Sequence, residues 1–439
     1  MGLSQRGWIM FLELLRTRRF APLFWCQFLS AFNDNFVRNM LAMLLLFRLG
    51  GAESGTLITL AIGIFMLPSI VLSGLGGEIA DANDKARVIR RLKAAEILVQ
   101  MIAAAGVWFA SLTLLYVALF GLGVIAALFG PLKYGILADH LKRQELVAGN
   151  ALVDAATFLA ILLGLMAGAF AAKATIAPIV IVLQLMVIAL ACYATSRFIP
   201  PTAVAAPHLE IKANVFATTG ALLKDLRRIP FLWQAGLALS WFWLTGAVAL
   251  SLVPVVVRDA TGGGIEVEAA ISALFAMGIG AGSLAAAFFA RGRITLAPTP
   301  LAALGMAVFL IEIGFATHGL AAARHEMGLA IFFTSATGLR IAVDVVSMAA
   351  AGGFYVVPLF AAVQAEAPAE RRARIVAAVN ILNALFMVAG TLATALLQSR
   401  LVGLSEPALL IGLGLTNIAA AAYVRVKILP HKLRQDHLI

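Results

Sequence analysis

Long apolar runs, separated by short charged or Gly/Pro-rich breaks, follow one another along almost the whole chain. A helix needs about 20 apolar residues to cross about 30 Å of hydrocarbon. Twelve runs have about that length, so the pattern predicts twelve transmembrane helices. They lie near 22–47, 56–80, 94–112, 114–136, 147–172, 176–198, 231–257, 269–290, 294–317, 342–364, 375–397 and 407–428.

Composition agrees with an integral membrane protein. Of the 439 residues, 62% are apolar and 13% are charged, whereas soluble domains are about 45–50% apolar and about 25% charged. So few charges cannot cover the surface of a soluble protein of this size. The two Cys residues lie in apolar runs, which excludes a disulfide framework or a Cys-rich metal site. We expect no metal, no cofactor and no cleaved signal peptide.

Lys and Arg are concentrated in alternate breaks between the runs. With the N-terminus inside, 26 of the 33 fall in inside segments, six in outside segments, and Arg38 within the first span. This bias predicts that the N- and C-termini are both cytoplasmic. Anionic lipid accounts for the net charge of +11, so no nucleic-acid partner is expected. The apolar stretch 329–339 is interpreted as periplasmic or interfacial, because a thirteenth span would break this pattern.

The two halves of the chain resemble each other. The sequence RFAPLFW at 19–25 precedes span one, and RIPFLW at 228–233 precedes span seven. Similar matches link spans four and ten, and spans five and eleven. Such duplication is typical of parallel six-helix bundles, as in the major facilitator fold. We predict an all-α membrane protein with two pseudo-symmetric bundles, 1–198 and 229–439, joined by a cytoplasmic linker at 199–228.

Span one carries a polar stripe at helical spacing: Gln27, Ser30, Asp34 and Arg38. Asp34 lies twelve residues after Pro22, or about 18 Å along a helix. Ionisable groups at that depth are costly unless paired or wet. The stripe is interpreted as lining a cavity and binding a polar headgroup. The competing interpretation is an i,i+4 pair between Asp34 and Arg38 that satisfies itself.

Other polar residues lie nearer the predicted cytoplasmic side. Asn150 and Asp154 share a face of span five, and Asn380 occupies the equivalent part of span eleven. We include these three among the candidate substrate-binding residues, although structural packing is an alternative for the Asn residues. Lys133 closes span four beside them and is grouped with the candidate gating residues.

The break between spans two and three holds a loop motif. Gly77 is followed by Asp81 and then by the basic residues Lys85, Arg87 and Arg90. Glycine permits close helix approach, and the aspartate can cap a helix N-terminus or pair with the basic cluster. We interpret the motif as a gate that forms in one conformation and breaks in the other. An ordinary charged turn is the alternative.

Several stretches together resemble the bacterial lysophospholipid transporters of the major facilitator superfamily. They are QFLSAFNDN at 27–35, the loop at 77–90, FGPLKYGIL at 129–137, GNALV at 149–153 and GGFYVVPL at 352–359. The stretch NILNALFM at 380–387 is similar to the subgroup in which the transporter is fused to acyltransferase and acyl-ligase domains.

The resemblance implies movement of a lysophospholipid, such as lysophosphatidylethanolamine, from the periplasmic to the cytoplasmic leaflet of a bacterial inner membrane by alternating access. Re-acylation by a separate acyltransferase or acyl-ligase would follow. Asp34 matches the family's acidic position in span one. Where some members carry an Arg in span seven, this chain has Leu250, and Arg38 is the candidate substitute as phosphate partner. Trp241 and Phe242 are candidates for contact with the acyl chain.

Two alternatives remain open. A facilitator of a small soluble solute or drug, with or without proton coupling, could share this architecture. A membrane-bound acyltransferase would need a His/Asp pair at a membrane face, and the sequence offers no candidate, so we expect no enzyme. A membrane transporter of lysophospholipids is the favoured prediction.

Overall fold

Twelve long helices run through the part of the chain that the structure, a computed structural model, describes: residues 11–49, 51–173, 175–211, 214–318 and 327–430. They are α1 Ala21–Leu49, α2 Gly51–Ala82, α3 Lys85–Trp108, α4 Leu112–His140, α5 Leu146–Ala171, α6 Pro178–Arg197, α7 Pro230–Thr261, α8 Ile265–Ala290, α9 Thr299–Thr317, α10 Ala336–Glu366, α11 Arg372–Gln398 and α12 Glu406–Tyr423. Ten of them are long and apolar enough to cross a membrane. The other two, α1 and α3, have similar length but carry more polar side chains. The predicted all-α, twelve-helix fold is confirmed.

Two helices, α3 and α10, begin six or more residues earlier than the apolar runs indicated. Helix α3 starts at Lys85 rather than near 94, because the Asp84 carboxylate caps it by accepting a hydrogen bond from the Ala86 N–H at 3.0 Å. Helix α10 starts at Ala336 rather than near 342. The stretch 329–339 forms the short helix Leu329–Thr334 and then the first turn of α10. Charged residues placed in loops by the sequence therefore lie inside helices.

The helices group into two compact units. Unit 1 consists of Met1–Ile229 and Gln364–Ile381, and unit 2 of Pro230–Val363 and Leu382–Ile439. Unit 1 therefore holds α1 to α6, the end of α10 and the first turns of α11. The amide and charged side chains around α1 all belong to unit 1. The candidate headgroup site therefore lies within that unit.

Helix α1 packs closely on α5 in unit 1. Small residues make this possible: a Cβ atom added to Gly164 would lie 2.6 Å from the Phe32 carbonyl oxygen, and one added to Gly168 would lie 2.6 Å from the Phe36 carbonyl oxygen. Backbone approach of this kind is the usual role of small residues between membrane helices. The contact fixes the face that α1 turns toward α5.

A substitution at Gly164 tests this packing. We expect Gly164→Ala to lower the melting temperature in detergent, because overpacking against fixed backbone costs about 1–3 kcal/mol. The matched control is Gly63→Ala on α2, where an added Cβ would meet nothing within 4 Å. Both changes raise helix propensity equally. Equal melting temperatures for the two variants would contradict the described contact.

The predicted linker contains a helix of its own, Val215–Arg227. Thr218, Leu222 and Leu226 are its buried residues, and a Cβ atom added to Gly74 of α2 would lie 3.1 Å from Leu222. The apolar face of this helix therefore packs on α2 within unit 1, while its charged residues lie on the other side.

Unit 2 is also held by close helix contacts. A Cβ atom added to Gly282 of α8 would clash with the Ala350 carbonyl oxygen of α10. The rings of Phe242 and Tyr355 stack with their centroids 6.4 Å apart. Both side chains are buried, so α7, α8 and α10 share one interior.

Candidate functional site

The polar stripe of α1 lies in the interior of unit 1. Gln27 and Ser30 are buried, while Asp34 and Arg38 are half-buried. The Gln27 side-chain oxygen accepts a hydrogen bond from the Thr157 hydroxyl of α5 at 2.9 Å. Of the four predicted stripe residues, the two nearer the helix start are thus held by neighbours, and the two deeper ones keep partial exposure.

Ser30 belongs to a buried ionic network with α3. The Lys93 ammonium lies 2.6 Å from a Glu96 carboxylate oxygen and donates a hydrogen bond to the Ser30 hydroxyl at 2.7 Å. That hydroxyl in turn lies 3.3 Å from both Glu96 oxygens. The ammonium also lies 4.0 Å from the centroid of the Phe129 ring. Lys93 and Glu96 side chains are 0% and 1% exposed, so they neutralise each other away from solvent.

Lys93 and Glu96 were not among the predicted site residues. The predicted start of span three near 94 assigned Lys93 to a loop, and no role was predicted for Glu96. Their signal was spacing: Lys93, Glu96 and Gln100 lie at i, i+3 and i+7, which is one face of a helix. All three are buried in α3. A polar stripe in an otherwise apolar helix indicates a face that avoids lipid.

Asp34 and Arg38 do not form the self-satisfied pair considered from the sequence. The Arg38 guanidinium donates to the side-chain oxygen of Asn35 and lies 5.4 Å from the centroid of the Phe65 ring. Among the described residues, neither Asp34 nor Arg38 has an ion-pair partner within 4.0 Å. The charges that act on Asp34 come from Glu96, Lys93, Arg38 and Lys133.

A second polar group joins α4 and α5. The Tyr134 hydroxyl donates to a carboxylate oxygen of Asp154 at 3.4 Å, and the Lys133 ammonium lies 4.5 Å from the Tyr134 ring centroid. Lys133 and Asp154 are half-buried, and they act on each other electrostatically. Lys133, a candidate gating residue, therefore lies on α4, where Asp154 and Asp34 act on it electrostatically.

Together these residues form what we call the charged cluster. Its members are Asp34, Arg38, Lys93, Glu96, Lys133 and Asp154. At about 1.5 Å rise per residue, they lie about 10–26 Å along their helices from the ends nearest the 77–90 loop. The cluster holds three cations and three anions, so its formal charge is zero. Lys93 and Glu96 compensate each other, which leaves two acids and two bases half-buried.

Asn150 and Asn380 occupy different surroundings. The buried Asn150 amide donates to Gln364 at 2.5 Å, and Gln364 donates to the Tyr134 carbonyl at 3.0 Å. Asn380 is half-buried, with its amide nitrogen 3.2 Å from the position of a Cβ atom on Gly130. Within unit 1, these contacts connect α4 and α5 to the end of α10 and the start of α11.

The loop motif caps α11. The buried Asp81 carboxylate accepts hydrogen bonds from the backbone N–H groups of Ala373 and Arg374 and from the Arg374 guanidinium, each at 3.1 Å. A Cβ atom added to Gly77 would lie 2.8 Å from Ala377 and 2.9 Å from the Arg374 Cα atom. Gly77 and Asp81 therefore perform the two roles that the sequence assigned to such residues, close approach and helix capping.

The basic residues of the motif divide into three environments. Lys85 is buried, and its ammonium lies 2.8 Å from an Asp139 carboxylate oxygen, whose other oxygen lies 3.0 Å from Arg372. The Arg90 guanidinium donates to the Ala86 carbonyl at 3.2 Å. Arg87 is exposed. Only Lys85 among them enters the described ion-pair network of unit 1.

An ion pair outside the membrane helices anchors the start of α1. The Arg19 guanidinium donates two hydrogen bonds to Glu145, at 2.6 and 2.5 Å. Burial alone would raise the pKa of Glu145, but hydrogen bonds from Arg19 and from the Lys142 N–H bring this pKa below its ordinary value. The pKa of Arg19 is raised by its hydrogen bonds to Glu145. The pair stays ionised at neutral pH and ties α1 to the α4–α5 connection.

The predicted acyl-chain residues belong to unit 2. The Trp241 indole N–H donates to the Asn417 side-chain oxygen at 3.2 Å. Phe242 is buried against Tyr355, and Ser240 donates to Asn383 at 2.9 Å. Contact of Trp241 and Phe242 with a lipid tail stays a prediction.

The chain is similar to proteins of a known transporter family. The profile of the Major Facilitator Superfamily matches residues 23–391. The lysophospholipid transporter LplT of Yersinia pestis (strain Pestoides F) is 29% identical over 367 residues, which cover 80% of this chain and 79% of that protein. LplT of Yersinia pseudotuberculosis serotype O:3 (strain YPIII) gives the same values. The motif-based resemblance to lysophospholipid transporters is confirmed.

Solved structures agree on the fold. The human organic anion transporter MFSD10 aligns with a TM-score of 0.70 and 16% identity, over 92% of this chain and 99% of that chain. A bacterial homologue of the iron transporter ferroportin in an outward-facing state aligns with a TM-score of 0.67 and 15% identity, over 92% and 97%. At such identities the likeness concerns the fold alone.

Proposed function

Because the chain belongs to the major facilitator superfamily, we propose that it moves lysophospholipids between membrane leaflets by alternating access. The family and the matched relatives are transporters rather than enzymes, and the chain is a multi-pass membrane transporter. The cargo we propose is a single-chain phospholipid of the lysophosphatidylethanolamine type, taken from the outer to the inner leaflet of a bacterial inner membrane. Its curated relatives are named for lysophospholipid transport.

The observation that carries the proposal is a set of four half-buried charges without ion-pair partners. Within the described residues, Asp34, Arg38, Lys133 and Asp154 form no ion pair within 4.0 Å. Charged groups at membrane depth are costly unless they are paired or wet. Charged groups that are partly accessible and lack an ion-pair partner are suited to bind a ligand that carries both a positive and a negative charge.

A zwitterionic headgroup fits this arrangement. Its phosphate would be bound by Arg38 or by Lys133, through charge-assisted hydrogen bonds, which are short and strong. Its amine would be bound by Asp34 and Asp154. The balanced charge of the cluster favours a headgroup with no net charge, and Arg38 takes the phosphate role that Leu250 cannot supply.

The acyl chain has a different requirement. It needs an apolar path beside the charged cluster, so that the chain stays in an apolar environment while the headgroup crosses the membrane. Phe28 lies half-buried on α1, next to Gln27, and Trp241 and Phe242 remain the candidate contacts in unit 2. Gln27 and Ser30 border the charged cluster, while Asn150 and Asn380 lie where α4 and α5 meet the start of α11.

The 77–90 loop is proposed to bias one of two conformations. Its bonds to α11 through Asp81 stabilise the arrangement that the structure holds, and a transporter needs a second arrangement close in energy. In this account the loop lies on the cytoplasmic side, with both termini, and a separate acyltransferase or acyl-ligase consumes the delivered lysolipid.

Reconstituted protein tests the cargo. Proteoliposomes are given fluorescent lysophosphatidylethanolamine in the outer leaflet, and a membrane-impermeant quencher reports how much label has moved inward. We expect faster inward movement than in protein-free vesicles, and no such gain for a diacyl phospholipid. Equal rates with and without protein, together with uptake of a water-soluble solute, would favour the small-solute facilitator instead.

A further inference from the structure

A cavity of about 590 Å³ lies inside unit 1, at the opposite helix ends from the 77–90 loop. It is formed by the late residues of α1, α3 and α5, the first residues of α4 and α6, and the two connections between them. The deep wall includes Met40, Leu44, Leu115 and Ile181. Next to it the same helices pack tightly in an apolar core. The cavity is therefore a defined space and not a sign of poor packing throughout the unit.

The lining is apolar with one exception. Apart from Lys173, every lining residue is Met, Leu, Ile, Val, Ala, Gly or Pro. Water inside such a space would find few hydrogen-bond partners, and cavities of this type bind apolar molecules. The volume falls within the range of about 300–1,000 Å³ typical of ligand sites, which combine apolar walls with a few polar groups.

Lys173 supplies the polar group at the rim. It follows α5, is exposed, and its ammonium lies 5.3 Å from the centroid of the Phe170 ring. Among the described residues, no carboxylate lies within 4.0 Å of it. In the proposed orientation this is the outer face, where Lys and Arg are scarce. An unpaired ammonium beside an apolar cavity complements a molecule with a phosphate at one end and a hydrocarbon chain at the other.

The rim is also shaped by the α3–α4 turn. Ala110 adopts a left-handed backbone conformation with φ of 51°, which L-residues seldom adopt. The turn is closed by a hydrogen bond from the Ser111 N–H to the Gly106 carbonyl at 2.8 Å. Gly106 and Ala110 both line the cavity, beside Val107 and Leu112, so the tight turn contributes two small residues to the lining.

We propose that this cavity is an outer-face receiving site, which holds the acyl chain of a single-chain phospholipid while Lys173 binds its phosphate. The identity of the lipid rests on the proposed function. The site is separate from the charged cluster, and it would hold the lipid before its head reaches Arg38 and Asp34. One chain occupies the cavity, so a two-chain lipid fits less well.

Photolabelling of the whole protein tests the receiving site. The probe is lysophosphatidylethanolamine with a photoreactive diazirine near the end of its chain, and labelled residues are mapped by mass spectrometry. We expect adducts on the deep wall, at Met40, Leu115 or Ile181. Lys173→Gln should reduce these adducts by about tenfold, since a charge-assisted contact is lost. The matched control is Arg400→Gln, an exposed cation outside unit 1, which should leave labelling unchanged.

Further outcomes decide between explanations. A photoreactive fatty alcohol, which lacks the phosphate, should label the same wall weakly. The amount of this label should be the same in wild type and in Lys173→Gln. Absence of adducts on the wall, equal labelling of wild type and Lys173→Gln, or equal labelling by a diacyl phospholipid would overturn the receiving site. Transport of lysolipid measured on the same samples keeps the two proposals apart: labelling without transport contradicts the proposed function alone, and transport without labelling contradicts the receiving site alone.

Discussion

Lys93→Met is expected to lower the free energy of unfolding by about 3–5 kcal/mol, because removal of one partner leaves a buried charge uncompensated. Lys93 and Glu96 are both fully buried, and their charged atoms lie 2.6 Å apart. Without the ammonium, Glu96 keeps only the Ser30 hydroxyl as a hydrogen-bond partner among the residues that the structure describes. Denaturation in detergent micelles, followed by tryptophan fluorescence, measures the change.

Two further variants test whether the loss of stability comes from the broken ion pair. Lys224→Met, on the exposed side of the linker helix, controls for loss of a lysine in general and should change stability little. The double variant Lys93→Met with Glu96→Met should recover most of the lost stability, since replacing a whole buried ion pair by apolar side chains is often neutral. A single variant as stable as the Lys224 control would contradict the described network.

The double variant also separates stability from function. If it folds but translocates lysolipid more slowly, the Lys93–Glu96 pair contributes to headgroup binding by the charged cluster as well as to stability. The physical reason is that Lys93 and Glu96 are among the charges that act on Asp34. Their removal changes the electrostatic environment of that carboxylate, although both removed side chains are buried.

Asp81→Asn is expected to slow lysolipid translocation by about tenfold or more. The carboxylate accepts three hydrogen bonds at 3.1 Å from the start of α11, one of them from the Arg374 guanidinium. Bonds to a charged partner contribute about 1.5–3 kcal/mol, and a change of 1.4 kcal/mol shifts an equilibrium tenfold. Asparagine has nearly the same shape but no charge, so the equilibrium between conformations moves away from the described one.

The measurement is the initial translocation rate at equal protein content in vesicles. The control is Asp225→Asn, which removes a carboxylate that pairs with Arg228 on the exposed side of the linker helix. It should leave the rate near that of wild type. An unchanged rate in Asp81→Asn would show that the loop motif is an ordinary charged turn.

The overall architecture could be predicted from the sequence because each span is a long apolar run, and hydrocarbon admits few alternatives to a helix. Charged residues caused the boundary errors. Lys85 and Lys93 look like loop residues in a hydropathy pattern, yet Asp84 starts a helix there. Both ammonium groups are buried and pair with a carboxylate, Lys85 with Asp139 and Lys93 with Glu96. The Lys85–Asp139 pair joins two helices, so neither apolar run indicates it by itself, whereas Lys93 and Glu96 pair within one helix.

The candidate site was predictable in part. Helical spacing placed Gln27, Ser30, Asp34 and Arg38 on one side of α1, and residue chemistry indicated that Asp81 could cap a helix. The partners could not be deduced, because they lie far away in the sequence. Glu96 is 66 residues from Ser30, and Ala373 is 292 residues from Asp81.

Initial inward translocation of lysophosphatidylethanolamine by wild type and Asp34→Asn tests the central claim most directly. This change removes one charge from the cluster and keeps the size of the side chain. The control, Asp259→Asn, removes an exposed carboxylate that pairs with Arg258 at the end of α7. We predict that Asp34→Asn slows translocation at least about tenfold with an unchanged melting temperature, while Asp259→Asn matches wild type. Equal rates for all three proteins would contradict headgroup binding by the charged cluster.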